Sequence, residues 1–250
     1  MKNWKVVLLL GACLVFSGFA SNPARAQSSN ASVYVVHGIP GHDVSEALDP
    51  ALPVDVQVNG AICLVQGLKF GDIAGPFTIP ASSYSFTISP ANTVAPCTNP
   101  ALLTADGVSF TEGENASVVA YLNGEGAPGV KKFDNDLSPT PNGESRLIVQ
   151  HTAAAPAVDI TVARLYYYSP LQPTTIPNVS NGQQAAALLP SERTWNFPRI
   201  QVTLTPAGQK SPVIGPYFFQ LNPHNVYLIY AVGSLSTQSF TLISKVIPGV

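Results

Sequence analysis

The chain has 250 residues, a formal net charge of −2 at pH 7, and only 10% charged residues. Charged residues make up ~25% of ordinary globular chains, so Ser, Thr, Asn, Gln and Gly must cover much of this surface. Nucleic acids and anionic membrane surfaces are recognised by clustered Lys and Arg. The composition therefore argues against both as partners.

The first 26 residues are predicted to be a signal peptide. Lys2 and Lys5 form a basic start, residues 6–20 are apolar, and Ala24-Arg25-Ala26 is a small-x-small cleavage site. Cleavage before Gln27 removes three of the basic residues and leaves nine against 14 acidic ones, a net charge near −5. The apolar run is shorter than the ~20 residues that span a bilayer. We predict export to the periplasm, cell surface or medium, with no transmembrane segment in the mature chain.

Leu10-Gly11-Ala12-Cys13 offers an alternative, because it resembles a lipoprotein box in which Cys13 would be lipidated. Only about seven apolar residues precede Cys13, which is short for the apolar part of a signal peptide. The chain also stays apolar through Leu14-Val15-Phe16, where a released N-terminus would be polar. We therefore favour ordinary secretion over anchoring at Cys13.

Cys63 and Cys97 are the cysteines that remain after cleavage. An even pair in an exported chain predicts a disulfide. Closing a loop of about 35 residues would stabilise the fold by roughly 3–4 kcal/mol. Two free buried thiols are the alternative. A zinc site is disfavoured, because two cysteines without histidines at ligand spacing do not supply four ligands.

Strand patterns dominate the mature chain. Val54, Val56 and Val58 alternate with polar residues, and Asn59-Gly60 then predicts a tight hairpin turn. Residues 84–89 and 200–205 alternate in the same way, whereas residues 117–122 and 226–232 are nearly continuous apolar runs typical of central strands. Residues 183–189 are the one candidate for a helical turn, which Pro190 would end. The 23 prolines and 19 glycines punctuate the chain at intervals typical of a sandwich or barrel.

Several of these patterns occur twice. Residues 33–37 followed by 53–58 return as residues 147–151 followed by 157–162, and residues 84–91 return as 200–207. We predict a first unit at residues 31–133, a polar, Pro-rich linker at 134–144 and a second unit at 145–250, each unit long enough for one core. Residues 38–52 lengthen the first unit, and residues 166–195 lengthen the second.

Each unit resembles the bacterial family catalogued as domain of unknown function 4397. The pieces that carry the resemblance are Val36-His37, Pro53 to Gly60, Phe70-Gly71 and Tyr84 to Ala91, of which the second unit keeps His151, residues 158–160 and residues 204–208. The second unit lacks the Asn-Gly turn and a clear Phe-Gly step. The resemblance implies an exported, all-β protein of two tandem immunoglobulin- or transthyretin-like antiparallel β-sandwich domains. It brings no catalytic residues.

His37 and His151 recur together with Asp55 and Asp159, which suggests a histidine oriented by a carboxylate for metal or acid–base chemistry. Duplication of a scaffold explains the same recurrence. We favour a structural hydrogen bond at a strand end, because no nucleophile or third ligand accompanies either pair. His42-Asp43 could add a weak ligand near His37.

Two further motifs fit common chemistries only in part. Gly124 to Gly129 matches a dinucleotide-binding fingerprint, but a Pro-rich linker follows it where a helix is needed, so we predict a turn. Asp134-Asn135-Asp136 with Glu144 hints at a calcium loop, but the expected glycine is Pro139. A solvated linker is the better interpretation.

An aromatic concentration marks the second unit, at Tyr166, Tyr167, Tyr168, Trp195 and Phe197. Exposed aromatic rings suit carbohydrate or protein contact, and core packing is the alternative. We predict a non-enzymatic protein with a binding or structural role at the cell envelope or outside the cell. We predict no metal and no cofactor, with an envelope protein or a glycan as partner.

Two alternatives remain. One is a carbohydrate-binding module that uses the aromatic residues of the second unit. The other, less favoured, is a hydrolase or metal-dependent enzyme that uses His37 or His151. The oligomeric state stays open at this point.

Overall fold

The computed structural model describes residues 29–166, 169–191, 199–211 and 214–249. The predicted signal peptide and Cys13 lie outside these residues. Within them the chain forms sixteen strands and one short helix. In chain order these are β1 Asn30–His37, α1 Gly41–Val44, β2 Val54–Val58, β3 Ile62–Leu68, β4 Ile73–Pro80, β5 Ser83–Pro90, β6 Leu103–Ser109, β7 Asn115–Leu122, β8 Pro128–Asp134, β9 Glu144–His151, β10 Val158–Tyr166, β11 Ser169–Val179, β12 Gln183–Pro190, β13 Arg199–Pro206, β14 Ile214–Gln220, β15 Val226–Val232 and β16 Thr241–Ile247.

The strands form two β-sandwiches of the same topology. In the first unit the sheet β4-β1-β7-β8 faces the sheet β3-β2-β5-β6, and in the second unit β12-β9-β15-β16 faces β11-β10-β13-β14. Pairing is antiparallel except for one parallel pair in each unit, β1 with β7 and β9 with β15. The predicted all-β fold of two tandem sandwiches is confirmed. No helix in the described part of the chain is long and apolar enough to cross a membrane.

The hairpin and central strands predicted from local patterns are present. Asn59 and Gly60 have φ values of 52° and 64°, and the Ala61 N–H donates to Val58 O at 3.1 Å, which closes the β2–β3 turn. Strands β7 and β15 lie inside their sheets, each with a neighbour on both sides.

A third apolar layer joins the two units, and it explains why the central strands are apolar on both faces. On β1, Val33 and Val35 point into the first sandwich, whereas Tyr34 and Val36 point toward the second unit. There they pack in one buried cluster whose other members include Val119, Phe133, Ile148, Leu228 and Tyr230. Burial of each such side chain contributes about 1.5–3 kcal/mol, so the two units share a genuine core.

Gly38 links the backbones of the two units. Its N–H donates to Ala120 O at 2.8 Å, and its carbonyl accepts the Gly233 N–H of the second unit at 3.1 Å. A Cβ atom at this position would lie 2.9 Å from both Ala120 O and Val232 Cγ1. Only glycine allows this contact without displacement of its neighbours.

The helical turn predicted at residues 183–189 is wrong. These residues lie in β12, which pairs antiparallel with β9 from Gln183 opposite His151 to Pro190 opposite Glu144. Leu189 is buried in the second core, and Ala185 and Ala187 pack against it. Pairing with a buried strand therefore outweighs the preference of alanine for helices.

Much of the segment predicted to lengthen the second unit belongs to the common framework. Strands β11 and β12 occupy the same sheet positions as β3 and β4 of the first unit. Part of the added length is in the β10–β11 hairpin, whose strands have 9 and 11 residues against 5 and 7 in β2 and β3.

The segment between β8 and β9 exposes Asp136, Ser138, Pro139, Pro141 and Asn142, as expected of a linker, but it is anchored at several points. Asn135 is 5% exposed, and Arg146 of β9 holds Asp136 through a contact of 3.2 Å between Nε and Oδ2. The Arg146 Nη1 group also donates to Asp136 O at 3.0 Å and to Ser138 O at 2.6 Å. These bonds tie the connection to the second unit.

Candidate functional site

The repeated histidines are buried and hold the chain that leads into the next strand. His37 is 1% exposed, its Nε2 lies 2.8 Å from Leu52 O, and its Nδ1 lies 3.4 Å from the Ile39 N–H group. His151 is fully buried, and its Nε2 lies 3.0 Å from Pro156 O. In each unit the accepting carbonyl stands two residues before the strand that follows, β2 or β10.

Burial lowers the pKa of both histidines. For His37 the Leu52 carbonyl and the Asp72 carboxylate oppose this effect, and for His151 the Pro156 carbonyl opposes it. Both rings are thus kept neutral near pH 7. His151 also stacks on Phe240, with ring centroids 6.3 Å apart, and its Nδ1 atom is buried without a partner among the described residues.

The repeated aspartates bind backbone N–H groups. Asp55 is 1% exposed and accepts from Gly67 at 2.9 Å, Asn92 at 3.1 Å and Cys97 at 2.8 Å. Its pKa is lowered, because these three hydrogen bonds together outweigh the opposite effect of burial.

Asp159 makes the corresponding contacts in the second unit, with Asn178 at 2.8 Å and Gly208 at 3.0 Å. These bonds lower its pKa as well. Gly67 and Asn178 occupy equivalent left-handed positions, with φ values of 62° and 57°. Each carboxylate therefore holds a residue of positive φ in the neighbouring strand by a hydrogen bond to its N–H group. We call this contact a clamp.

The structure does not bring the predicted His and Asp together as a working pair. The ring nitrogens of His37 engage Leu52 and Ile39, whereas both carboxylate oxygens of Asp55 engage backbone groups elsewhere. Each histidine instead makes a structural hydrogen bond near a strand end, His37 with Leu52 O and His151 with Pro156 O, as predicted. Among the described residues no group of three His, Cys, Asp or Glu side chains could hold a metal ion.

The His42-Asp43 pair lies at the boundary between the two units. Asp43 Oδ2 accepts the Ser239 hydroxyl at 2.5 Å, and His42 Nε2 lies 3.1 Å from Asp43 Oδ1. The pair attaches α1 to the second unit and is not turned toward His37 as a further ligand. The carboxylate of Asp43 stands between Ser239 and His42, so the imidazole is not placed to take a proton from that hydroxyl.

Cys63 and Cys97 form the predicted disulfide, with their Cα atoms 5.8 Å apart. Cys97 lies in the loop between β5 and β6, and its N–H donates to Asp55. The cross-link thus holds this loop against β3 and keeps the Asp55 clamp in place.

The glycine-rich segment at residues 124–129 contains the tight turn that was predicted. The Asn123 side chain accepts the N–H groups of Glu125 at 3.0 Å and Ala127 at 2.9 Å, and β8 follows directly. Without a helix after it, the turn cannot hold a pyrophosphate in the manner of a dinucleotide site.

The predicted aromatic site falls mostly on undescribed residues. Tyr167, Tyr168, Trp195 and Phe197 lie outside the described residues, and of Tyr166 only the strand position at the end of β10 is described. The involvement of these residues in ligand contact stays a prediction.

A polar cleft of about 690 Å³, which we call the inter-unit cleft, lies on the surface of the described residues. It lies between the β6–β7 loop and the end of β8 in the first unit, the connecting segment, and β12 in the second unit. The polar side chains that line it include Glu112, Glu114, Lys132, Asp134, Asp136 and Gln184.

Lys132, the cation among the residues that line the inter-unit cleft, is already paired. Lys132 Nζ contacts Glu114 Oε1 at 2.5 Å and Asp134 Oδ1 at 3.1 Å, and donates to Ser109 O at 2.8 Å. The pKa of Glu114 is lowered, since the hydrogen bonds from Lys132 and Thr111 exceed the opposite effect of burial. The pKa of Lys132 is raised for the reciprocal reason, with burial acting against it.

Sequence reasoning missed the inter-unit cleft. Lys132 and Glu114 are 18 residues apart, and Gln184, whose amide donates to Asp134 O at 3.0 Å, is 50 residues from its acceptor. No local spacing connects these positions, so no short-range pattern in the sequence could have found the cleft.

The fold and the cleft together define a protein of two packed β-sandwiches that share one polar cleft. The chain belongs to the family described as "Domain of unknown function (DUF4397)", whose model matches residues 31–161. Among solved structures it is similar to "The Bacillus anthracis TIE protein", with 12% identity, a TM-score of 0.23, and coverage of 80% of this chain and 33% of that one. The chain thus spans about a third of that structure's length. No curated protein matches it.

Proposed function

We propose that this chain is an exported, non-enzymatic binding protein made of two copies of the same family domain, and that the inter-unit cleft holds an uncharged, hydroxyl-rich ligand such as a glycan. The observation that carries the proposal is that residues of the first unit, the connecting segment and Gln184 of the second unit line the cleft together. Ligand pockets are typically about 300–1,000 Å³ in volume, and the cleft, at about 690 Å³, falls in this range.

The relative position of the units is held by buried contacts close to the cleft. Asn135 donates to Asn115 Oδ1 at 2.8 Å and accepts the Gln150 amide at 3.1 Å, and Gln184 reaches across to Asp134. A pre-organised cleft loses less entropy when a ligand binds than a cleft that must first close.

The charges at the cleft disfavour an anionic ligand. Lys132 and Arg146 are paired, and carboxylates outnumber cations among the lining residues. An anionic ligand would meet uncompensated negative charge at Glu112, which forms no ion pair among the described residues. Sugar hydroxyls suit the site, because carboxylate, amide and carbonyl oxygens can accept hydrogen bonds from them. An uncharged ligand also adds no net charge to the cleft.

The contacts of the repeated residues support both the second copy and a non-enzymatic role. His37 and His151 bind carbonyls at corresponding positions, as Asp55 and Asp159 bind corresponding N–H groups. Such positions are explained by a duplicated scaffold, and they leave neither histidine open to a substrate.

Export is supported by the disulfide, because disulfides persist in oxidising compartments. N-terminal sequencing of the protein purified from separated cell fractions tests this part. Mature protein that starts at Gln27 outside the cytoplasm is expected. Intact protein that starts at Met1 and stays in the cytoplasm would contradict it.

Binding is tested on a glycan array with the mature protein, residues 27–250. Neutral glycans should be retained, and Gln184→Ala and Glu112→Gln should each weaken binding about fivefold, the loss of roughly one hydrogen bond. Gln66→Ala, on the exposed side of β3, is the matched control and should bind as the wild type does. The proposal would be refuted if the mature protein bound no glycan on the array, or bound anionic glycans alone.

A further inference from the structure

A second cavity, of different character, lies at one end of the first sandwich. It has a volume of about 90 Å³ and lies beneath the 38–53 loop, which contains α1. Aliphatic side chains form its wall, among them Ile39, Leu52, Val54 and Ile88. We call it the α1 cavity.

The α1 cavity has no free polar group that would hold water. His37 is the polar residue in its wall, and both ring nitrogens of His37 already lie close to backbone partners. A buried water needs two to four polar partners, whereas apolar cavities stay dry and take apolar guests. A cavity of ~150 Å³ holds benzene, so one of about 90 Å³ suits a smaller aliphatic group.

The mouth of the α1 cavity is an exposed aliphatic surface. Val44, Leu48 and Leu102 line it and are 46%, 37% and 54% exposed. Three such side chains around one opening form an apolar contact area on an otherwise polar surface, and contiguous exposed apolar groups mark interaction sites.

The loop that covers the α1 cavity is held in place in the free protein. Ser45 donates to Gly41 O at 3.0 Å, Leu52 to Asp49 O at 2.8 Å and Phe70 to Ala51 O at 2.7 Å, while Asp43 is bonded to Ser239. The cavity is therefore formed before any guest enters. The second unit has only residues 152–157 between β9 and β10, so this loop is particular to the first unit.

The charge around the mouth has one sign. The segments that surround it, residues 38–53, 91–102 and 123–128, contain Asp43, Glu46, Asp49 and Glu125 but no Lys or Arg. Glu46 and Asp49 are exposed. Lys69 stands on the neighbouring β3–β4 turn, which does not line the cavity. Fatty acids and anionic lipids would be repelled, whereas a basic peptide would be attracted.

We propose that the α1 cavity is an anchor pocket for a partner polypeptide, which inserts one Leu, Ile or Val side chain that is flanked by Lys or Arg. The volume of the cavity fits an aliphatic side chain of this size, and the acidic residues around the mouth favour basic residues on either side of it. This proposal does not depend on the inter-unit cleft or on glycan binding.

The test is selection of random peptides displayed on phage against the disulfide-bonded mature protein, with removal of peptides that also bind Leu102→Gln. Peptides with an aliphatic residue next to Lys or Arg should be enriched. Absence of enrichment, or enrichment of acidic flanks, would overturn the proposal.

The selected peptide is then measured by fluorescence anisotropy. Replacement of its aliphatic residue by Ala should weaken binding about tenfold, as expected for loss of a buried side chain. Leu102→Gln in the protein should do the same, whereas Leu188→Gln, a Leu of comparable exposure in the second unit, should not. Glu46→Lys with Asp49→Lys should weaken binding and remove its salt dependence. Equal effects of Leu102→Gln and Leu188→Gln would contradict the assignment.

Vesicles that contain phosphatidylglycerol separate a polypeptide from a lipid partner. The wild type should not bind them. If the wild type binds these vesicles and Leu102→Gln does not, the α1 cavity takes a lipid acyl chain and not a polypeptide side chain. That result would refute the proposal.

Discussion

The hydroxyl oxygens of Ser117 and Tyr230 lie 2.7 Å apart and form a hydrogen bond between the two sandwiches inside their shared apolar layer. Both residues are fully buried. Ser117 and Gln150 also bond to Asn135 at the start of the connecting segment. Burial raises the pKa of Tyr230, against the opposite effect of the Ser117 hydrogen bond. The phenol therefore stays neutral, and the two units meet through an uncharged polar network.

Tyr230→Phe should destabilise the protein by about 1–2 kcal/mol, because it removes one partner of a buried hydrogen bond. Urea unfolding monitored by circular dichroism measures this change. Tyr84→Phe is the matched control, since the Tyr84 hydroxyl bonds to Pro80 O at an exposed position. It should cost less than about 0.5 kcal/mol, and equal losses in the two variants would contradict the role given to the inter-unit bond.

Asp55→Asn should lower the free energy of unfolding by about 2–3 kcal/mol. The amide NH₂ group would face backbone N–H groups that now donate to the carboxylate, and two donors cannot bond to each other. Asp159→Asn should cost less, since Asp159 is more exposed and accepts two backbone bonds instead of three. Chemical unfolding of both variants at pH 7 checks this order.

The same Asp55 variant has a defined pH dependence. The lowered pKa of Asp55 means that its contribution is present above the pKa of the unfolded chain, about 3.9, and is lost as the pH falls through the folded-state value. The difference between wild type and Asp55→Asn should therefore shrink below about pH 3.9. A constant difference down to pH 2 would show that the charge of Asp55 is not its cause.

The buried histidines should make the protein less stable in weak acid. Their pKa values are lowered on folding, so below about pH 6.5 the unfolded chain binds more protons and stability falls as the pH falls. Replacement of both His37 and His151 by Gln should flatten this dependence. Urea midpoints measured from pH 7 to pH 5 test it, and a double variant with the wild-type slope would contradict the assignment.

Removal of the disulfide by Cys63→Ser with Cys97→Ser should lower the free energy of unfolding by about 3 kcal/mol, as expected for release of a 34-residue loop. The loop also carries the Cys97 N–H that binds Asp55, so Asp55→Asn should cost less in the Cys63→Ser, Cys97→Ser background than in the disulfide-bonded one. Thermal unfolding of the four variants in a double-mutant cycle measures this coupling. Fully additive losses would show that the two features act independently.

Several elements could be predicted because their signals are local. Alternation at Val54, Val56 and Val58 identifies a strand with one buried face, and Asn59-Gly60 supplies the positive φ values of a tight turn. The continuous apolar run at β15 indicated burial on both faces. Its second partner, the sheet of the first unit, could not be predicted, because two identical-looking apolar faces do not specify which of them pack together.

The strand β12 and the inter-unit cleft needed the tertiary structure. Residues 183–190 have an Ala-rich sequence that fits a helix as well as a strand, and pairing with β9 decides between them. At the cleft, Lys132 meets Glu114, and Gln184 meets Asp134, through packing of distant elements.

The sequence by itself determined the alternating and the continuous apolar strands, the division into two β-sandwich units and the disulfide pair, since alternation, turn residues and two lone cysteines are properties of short segments or of composition. The tertiary structure decided that His37 and Asp55 serve separate backbone groups, that the two sandwiches share a core, and that a polar cleft and an apolar cavity lie at different places on that framework. Those outcomes depend on which surfaces exclude water together, a property of the packed chain that no short segment contains.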